Sequence, residues 1–328
     1  MSSFSVRRTP RDRMAYGELN QESMISPLSP SCLLVGSTPS DRDCAKRLLL
    51  RECLERCRQE AQQGVLDTGR YRCRHVVWGR GPTLVLIPGM ASDALSFAMV
   101  MARLQDHFRC VSFDLPDGED DGARLMTYRH TDLTSDLLAL LDHLRIRDCS
   151  LMGFSFGSTI ALSALHRQPW RFSHAILQGG FARRPLSASE VFFASWGRFW
   201  PGRLTHLPLL RRIIEKNHRE PFREREPDVW DFFIERHCRV PLRAFASRVL
   251  MLHRLDLRPI LSAIHQSVLL VCGDRDPLVG KTCAQELKQG LPFVACAEIE
   301  QCGHQPHLTH PEVLVEVVRQ FLLPAACG

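Results

Sequence analysis

The sequence predicts an α/β fold, in which a mainly parallel sheet is covered by helices on both faces. Over most of the chain, short apolar runs alternate with segments in which apolar side chains recur at three or four residues. Such an alternation of strands and helices is typical of a parallel sheet with helices on both sides. The chain has 328 residues, which is enough for one large α/β domain or two small ones.

Two segments precede the predicted core. Residues 1–43 are rich in Ser, Pro and Arg and have few periodic apolar residues, so we expect a disordered extension. Residues 44–69 are expected to contain a helix over 45–62, because Asp43 can cap a helix and apolar residues follow at near-helical spacing. We expect this helix to pack on the main domain.

The predicted core consists of residues 70–181 and 265–328 and contains the alternating elements. Several of its predicted strands end in glycine, proline or aspartate, which mark turns. The predicted strands are 71–78, 83–87, 108–113, 150–154, 172–177, 267–272 and 293–299, and the predicted helices are 131–144, 157–166, 281–289 and 312–323.

The alternation is interrupted in residues 182–264, where no strand is predicted. Aromatic residues are interleaved with arginine there, and residues 183–258 contain 16 Lys and Arg against 9 Asp and Glu. Because the segment precedes the last two predicted strands, we expect a helical lid over one end of the sheet. Two interpretations of its composition remain open: a surface for an anionic substrate or an acyl-carrier protein, or aromatic packing beneath a solubilising basic face.

The composition excludes several classes of protein. The chain is 45% apolar and 24% charged, and its net charge of +6 is too mild to predict nucleic-acid binding. No apolar run approaches the roughly 20 residues of a membrane span, and no apolar segment follows the basic N-terminus as in a secretory signal. The 13 cysteines are odd in number and several lie in apolar runs, which indicates reduced thiols in a cytoplasmic protein. We expect a monomer or a weak dimer.

A serine lies between two glycines at the end of a predicted strand. Gly153-Phe154-Ser155-Phe156-Gly157 fits the G-x-S-x-G nucleophile elbow, which has a strand before it and a helix after it. The glycines are needed because the turn is too tight for side chains on either side of the serine. A serine that only caps the helix would not need glycine at both positions. We therefore predict that Ser155 is a nucleophile.

An acid and a base follow this serine in the chain. Asp274 and Asp276 come directly after one predicted strand, and His304 follows the next. The order Ser, Asp, His is that of a triad carried on successive strand ends of such a sheet. In a triad the histidine takes the serine proton and passes it to the leaving group, while a buried carboxylate orients the histidine.

With these motifs, the chain resembles the α/β-hydrolase superfamily over about residues 70–323. The resemblance implies that Asp276 is the acid, because it stands three residues after a glycine, and that Asp274 shapes the loop. Whether Asp274 can replace Asp276 stays open. The resemblance also assigns the backbone N–H donors of an oxyanion hole to Met90 and Phe156.

The resemblance implies a serine hydrolase that cleaves a carboxylic ester, thioester or lactone through an acyl-enzyme, with no cofactor. A small-molecule acyl substrate is the expected partner. Two alternatives remain open. One is a hydrolase or acyltransferase that acts on a carrier-bound acyl chain, and the other is a non-catalytic binding module on the same fold.

Two further clusters contain residue types that bind metals. His304, His307 and His310 lie three residues apart. Pro306 opposes a regular helix that would present the first two together, so we predict no metal and expect His307 and His310 to be capping or surface residues. Residues 114–122 contain several acids, but their spacing misses that of a calcium-binding loop, and we expect a solvated loop.

Overall fold

The computed structural model describes residues 32–35, 49–204, 208–222 and 227–323. Within these residues nine strands form one sheet: β1 (Cys32–Val35), β2 (Gln62–Asp67), β3 (Arg72–Trp78), β4 (Thr83–Ile87), β5 (Arg109–Phe113), β6 (Cys149–Phe154), β7 (Phe172–Gln178), β8 (Ser267–Gly273) and β9 (Val294–Ile299). Their order across the sheet is β1-β9-β8-β7-β6-β4-β5-β3-β2. Strand β3 is antiparallel to β2 and β5, and the other neighbouring pairs are parallel.

Helices connect most of the parallel strands. They are α1 (Leu50–Glu60), α2 (Ala98–Leu104), α3 (His130–His143), α4 (Phe156–Arg167), α5 (Ala188–Gly197), α6 (Pro208–His218), α7 (Pro227–Arg239), α8 (Leu242–Arg254), α9 (Lys281–Gly290), α10 (Pro306–Thr309) and α11 (Pro311–Leu322). None of these described helices is long and apolar enough to cross a membrane.

The sheet separates two apolar layers. Successive residues of a strand face opposite sides. Accordingly, Leu84 and Leu86 of β4 belong to the apolar cluster that contains α1, α2 and α11, whereas Val85 and Ile87 belong to the cluster that contains α3 and α4. Strands β4 and β6 are buried over nearly their whole length. Burial on both faces explains why these strands form continuous apolar runs in the sequence.

The predicted α/β fold with its mainly parallel sheet is confirmed, but two strands differ from the sequence prediction. Strand β2 lies inside residues 44–69, where only a helix was expected. Its side chains are mostly exposed, so no apolar run marks it, and pairing with β3 defines it. Strand β1 pairs in parallel with β9, so the expected disorder of residues 1–43 does not hold for residues 32–35. The rest of that extension lies outside the described residues.

Residues 182–264 lie between β7 and β8, and we call them the insert. Its described residues form helices α5 to α8 and short 3₁₀ helices, as the absence of strand patterns predicted. Helices α5 and α8 pack together through Ala194, Ala246 and Leu250. The insert therefore contributes a helical layer beside the sheet rather than further strands.

Candidate active site

Ser155 lies in a strained turn between β6 and α4. Its φ is +49° and its ψ is −113°, and its side chain makes no capping hydrogen bond to α4. A Cβ on Gly153 would lie 2.6 Å from the Gly157 carbonyl oxygen, and a Cβ on Gly157 would lie 2.3 Å from the Ile87 carbonyl oxygen. Both glycines are therefore required by the turn. These features are those of a nucleophile elbow and not of a helix cap.

His304 and Asp276 form a buried pair. His304 Nδ1 lies 2.7 Å from Asp276 Oδ2, and the two side chains are only 4% and 5% exposed. The other carboxylate oxygen accepts the N–H groups of Leu278 and Val279 at 2.8 and 3.0 Å. Burial alone would raise the pKa of Asp276, but the hydrogen bond and charge of His304 and these two N–H groups lower it overall. Asp276 is therefore ionised and able to orient the imidazole.

Asp274 has a different contact. Its Oδ1 accepts the N–H of Cys302 at 3.0 Å and so links the loop after β8 to the loop after β9. The structure thus pairs His304 with Asp276 and gives Asp274 the loop-shaping contact that the resemblance implied.

The structure brings His304 to the edge of the sheet that carries the elbow. The Phe154 ring, directly before Ser155, lies 5.0 Å from the His304 ring. The Gln178 carbonyl oxygen accepts the Ser155 N–H. The next residue, Gly179, has a φ of +58°, and a Cβ there would lie 3.0 Å from His304 Cε1. Among the described residues, no hydrogen bond joins Ser155 Oγ to His304. Such catalytic hydrogen bonds often tighten only when substrate binds.

The two predicted oxyanion donors lie beside this turn. Phe156 is the first residue of α4, and the N–H groups of a first helical turn have no acceptor within the helix. Met90 follows β4, and its carbonyl oxygen accepts a hydrogen bond from Arg248 Nη1 of the insert. Helix α8 therefore holds the loop that carries Met90.

Arg248, which supports the loop that carries Met90, was not identified from the sequence. It is buried and also donates to the carbonyl oxygens of Leu115 and Pro116 at 3.2 and 3.0 Å. Burial lowers its pKa to about 10, against the opposing charge of nearby carboxylates. Its signal in the sequence is its position in α8, four residues from each of two buried residues, Ala244 and Leu252.

Two histidines of the insert lie close to His304 and were also missed. The ring of His218, at the end of α6, lies 6.3 Å from that of His304 and 6.2 Å from that of His237 in α7. Burial lowers the pKa of His218 to about 3 and that of His237 to about 4, and the charge of His304 acts in the same direction. Both are therefore neutral at pH 7. Phe233 lies between them in space, with its ring 5.2 Å from each. His237 follows the aromatic run that contains Phe233, whereas His218 stands in a charged stretch of the sequence and has no local signal.

The other two histidines after β9 match the prediction only in part. His307 and His310 are both buried, so neither is a surface residue. His310 occupies the N-cap position of α11, as a capping residue would, but its side chain makes no capping hydrogen bond. His307 Nδ1 lies 2.8 Å from Gln178 Nε2 at the end of β7, and burial lowers the pKa of His307 to about 3. The described residues contain no group of three or more His, Cys, Asp or Glu side chains arranged to hold a metal ion.

The acidic loop of residues 114–122 is only partly solvated, because Glu119 and Asp120 are exposed whereas Asp121 is not. Asp121 is buried and its carboxylate accepts the N–H groups of Asp117, Gly118 and Ala123 at 2.7 to 3.0 Å. Arg243 of α8 donates to the Gly118 carbonyl oxygen. The loop is therefore part of the surface on which the insert rests.

Known proteins resemble this chain in sequence. A family model described as alpha/beta hydrolase fold matches residues 82–311. The chain is 24% identical over 249 residues to the uncharacterized hydrolase YugF of Bacillus subtilis (strain 168), covering 73% of this chain and 89% of that protein. It is 26% identical over 260 residues to the pimeloyl-[acyl-carrier protein] methyl ester esterase of Vibrio vulnificus (strain YJ016), covering 74% of this chain and 95% of that protein.

Solved structures share the fold. The enol-lactonase from Burkholderia xenovorans LB400 matches with a TM-score of 0.72 at 22% identity, over 79% of this chain and 99% of that one. A thermophilic esterase from Thermogutta terrifontis matches with a TM-score of 0.70 at 20% identity, over 80% of this chain and 98% of that one. The predicted resemblance is confirmed, and because the family model covers more than half of its residues, the chain belongs to the α/β-hydrolase fold family of enzymes.

Proposed function

We propose that the protein is a serine hydrolase that cleaves a carboxylic ester, thioester or lactone through an acyl-enzyme. Ser155 is the nucleophile, His304 is the base and then the acid, and Asp276 orients His304. The N–H groups of Met90 and Phe156 stabilise the oxyanion. The observation that carries this proposal is the buried 2.7 Å hydrogen bond between His304 and Asp276 at the sheet edge that bears the elbow.

The first half-reaction acylates the serine. Ser155 Oγ attacks the carbonyl carbon while its proton passes to His304 Nε2, and the negative oxygen of the tetrahedral intermediate accepts the two backbone N–H groups. Asp276 holds the proton on Nδ1, which leaves Nε2 free to act as the base, and stabilises the imidazolium that forms. The intermediate collapses with loss of the leaving group, which takes the proton from Nε2.

The second half-reaction removes the acyl group. Water attacks the acyl carbon as His304 Nε2 takes one of its protons. Collapse of this second intermediate breaks the bond to Ser155 Oγ, returns the proton to it and releases the acid. No cofactor enters either half-reaction.

We also propose that the insert acts as the lid of this site. Its support is the neutral ring of His218 beside His304, and Pro221, which approaches Gly303 so closely that a Cβ there would lie 2.7 Å away. A cytoplasmic location completes the proposal. It is supported by Cys53, Cys110 and Cys149, which are buried and form no disulfide, as fits a reducing compartment.

A second candidate is a hydrolase or acyltransferase that acts on an acyl chain bound to a carrier protein. Two observations favour it. Several relatives are named pimeloyl-[acyl-carrier protein] methyl ester esterase, and residues 183–258 carry the basic excess that an acidic carrier would meet.

The first experiment is hydrolysis of p-nitrophenyl esters from acetate to palmitate by the wild type and Ser155→Ala. We expect kcat to fall by about 10⁴-fold or more in Ser155→Ala, and Ser135→Ala on α3 to keep the wild-type rate. The acyl chain length that is hydrolysed fastest indicates how long a chain the acyl pocket accommodates. If hydrolysis does not depend on Ser155, or if no ester is hydrolysed, the protein is not a general serine esterase. The wild type and Ser155→Ala are then assayed with a methyl ester bound to an acyl-carrier protein.

Fluorophosphonate labelling separates an enzyme from a binding module. An activated serine reacts covalently with the reagent, so we expect labelling of the wild type and none of Ser155→Ala. Absence of labelling in the wild type would favour the non-catalytic binding module.

A further inference from the structure

Helix α5 turns its small residues toward the protein and its large residues toward solvent. Ala194 packs against α8, and a Cβ on Gly197 would lie 3.3 Å from Ala246 Cβ. Five aromatic side chains on and just after α5, which we call the aromatic face, are between 57% and 71% exposed: Phe192, Phe193, Trp196, Phe199 and Trp200. Small residues on the packed side let α5 lie close to α8, so burial of the aromatic side chains is not what holds the helix.

The residues of the aromatic face lie close together in the chain. Phe192 and Trp196 are spaced i, i+4 on one side of α5, which ends at Gly197, and Phe199 and Trp200 follow in the turn after it. The ring of Phe192 lies 5.7 Å from that of Phe193 and 6.2 Å from that of Trp196. A surface helix normally turns its apolar stripe toward the core, and a contiguous exposed apolar patch marks an interaction surface.

Three arginines line a cavity beside the aromatic face. The cavity has a volume of about 450 Å³ and lies between α8 and residues 125–130. Arg129, Arg198 and Arg254 line it, and no Asp or Glu does. In the part of the chain that the structure describes, no carboxylate forms an ion pair with these guanidinium groups. The cavity therefore offers uncompensated positive charge to an anion.

Arg198 connects the cavity to the aromatic face. Its guanidinium lies 5.6 Å from the centre of the Phe199 ring, and its Nη2 donates to the Met126 carbonyl oxygen at 3.2 Å. Met126 is itself exposed. The positive cavity and the apolar side chains thus form one surface.

We propose that this surface docks on an anionic phospholipid bilayer. Tryptophan and phenylalanine favour the boundary between headgroups and acyl chains, and basic residues beside them bind anionic lipid headgroups. Arginine matches phosphate geometry with two parallel hydrogen bonds. A protein partner could also cover aromatic and arginine side chains, so it is the alternative outcome of the test. We favour the bilayer because the five aromatic side chains are all tryptophan or phenylalanine and have unpaired arginines beside them, which is the composition of a helix that lies at a membrane surface.

The test is co-sedimentation with phosphatidylcholine vesicles prepared with and without phosphatidylglycerol. The full chain carrying Ser155→Ala is used, so that lipid hydrolysis does not alter the vesicles and the result does not depend on catalysis. We expect binding to the anionic vesicles, weaker binding to phosphatidylcholine alone, and a decrease as salt is raised.

Variants assign the binding to this surface. We expect Trp196→Ser and Trp200→Ser each to lower the partition coefficient about tenfold, because each removes a large apolar side chain from the bilayer. The matched control is Trp170→Ser, which alters a tryptophan that is 75% exposed in the short helix Pro169–Arg171. Arg129→Gln and Arg254→Gln should each weaken binding to the anionic vesicles several-fold, and the exposed Arg80→Gln should not.

Either of two results would overturn the proposal: no binding to phosphatidylglycerol vesicles, or a loss in Trp170→Ser equal to that in Trp196→Ser. If the chain does not bind vesicles but forms a dimer or binds a purified acyl-carrier protein, and Trp196→Ser abolishes this, the aromatic face belongs to a protein partner instead.

Discussion

The loops at the edge of the sheet and the helices of the insert meet at one site, but different contacts hold them there. At the sheet edge, the carboxylate of Asp276 is fixed by N–H groups two and three residues further along the chain. The backbone of Ser155 is fixed by glycines two residues away on either side. In the insert, Arg248 binds a carbonyl oxygen 158 residues earlier in the chain, and the ring of His218 lies 6.3 Å from that of His304, with no hydrogen bond between them among the described residues.

This difference separates two tasks. The groups that we propose to react stand on short loops after buried strands, so their geometry is set locally and supported by the sheet. The insert supplies neutral rings and a buried arginine, which set the environment of those groups. We therefore expect substitutions at the sheet edge to reduce kcat with little loss of stability, and substitutions in the insert to change stability and its dependence on pH.

The largest expected effect is at Asp276. In Asp276→Asn the partner of His304 Nδ1 is no longer an anion, and the amide can favour the wrong imidazole tautomer, so we expect kcat to fall by about 10⁴-fold. Asp274→Asn keeps an oxygen that can accept the Cys302 N–H, so we expect less than about a tenfold change. The measurement is kcat with the preferred p-nitrophenyl ester, with circular dichroism to verify folding. Equal losses in the two variants would mean that Asp274 shares the role of Asp276.

The next effect is a loss of stability at Arg248. Arg248→Met leaves three carbonyl oxygens without their buried donor, and we expect the free energy of unfolding in urea to fall by about 2–4 kcal/mol. Because the Met90 loop loses its support, kcat should fall as well. The matched control on the same helix is Arg243→Met, which removes a donor to one carbonyl oxygen and should cost about 1 kcal/mol. An unchanged kcat in Arg248→Met would show that the sheet alone holds the Met90 loop.

The same division explains what the sequence could predict. The elbow is recognisable because two glycines at fixed spacing are a local requirement, and the strands before Ser155 and Asp276 are recognisable because burial on both faces produces continuous apolar runs. The strand β2 was missed because its side chains face solvent and only its pairing with β3 defines it.

The insert was predicted as helical, but its contacts were not. The approach of His218 to His304 depends on how α6 and α7 cross the sheet edge, and no spacing within 182–264 encodes that crossing. Arg248 is informative only after α8 is known to bury the side that carries it. Charge counts described the insert as basic, whereas the structure shows that one of its arginines is buried on backbone carbonyl oxygens.

The smallest effect concerns the pH dependence of stability. His218 has a pKa of about 3 in the folded protein, against 6.5 for an unperturbed histidine, because burial and nearby positive charge oppose protonation. The unfolded chain therefore binds more protons between these values. The contribution of His218 to the free energy of unfolding is fully present above pH 6.5 and is lost as the pH falls toward 3. His237 and His307 act in the same direction.

We expect the free energy of unfolding to fall with decreasing pH below 6.5, and His218→Phe to reduce that slope by about 1.4 kcal/mol per pH unit, the value for one proton. The measurement is urea unfolding from pH 7.5 to 4.5. Phe233→Leu is the matched control, because it alters the same ring cluster without removing a titrating group, so it should lower stability at every pH and leave the slope unchanged. If His218→Phe leaves the slope unchanged as well, then His218 is hydrated in solution and the insert does not shield His304 from water.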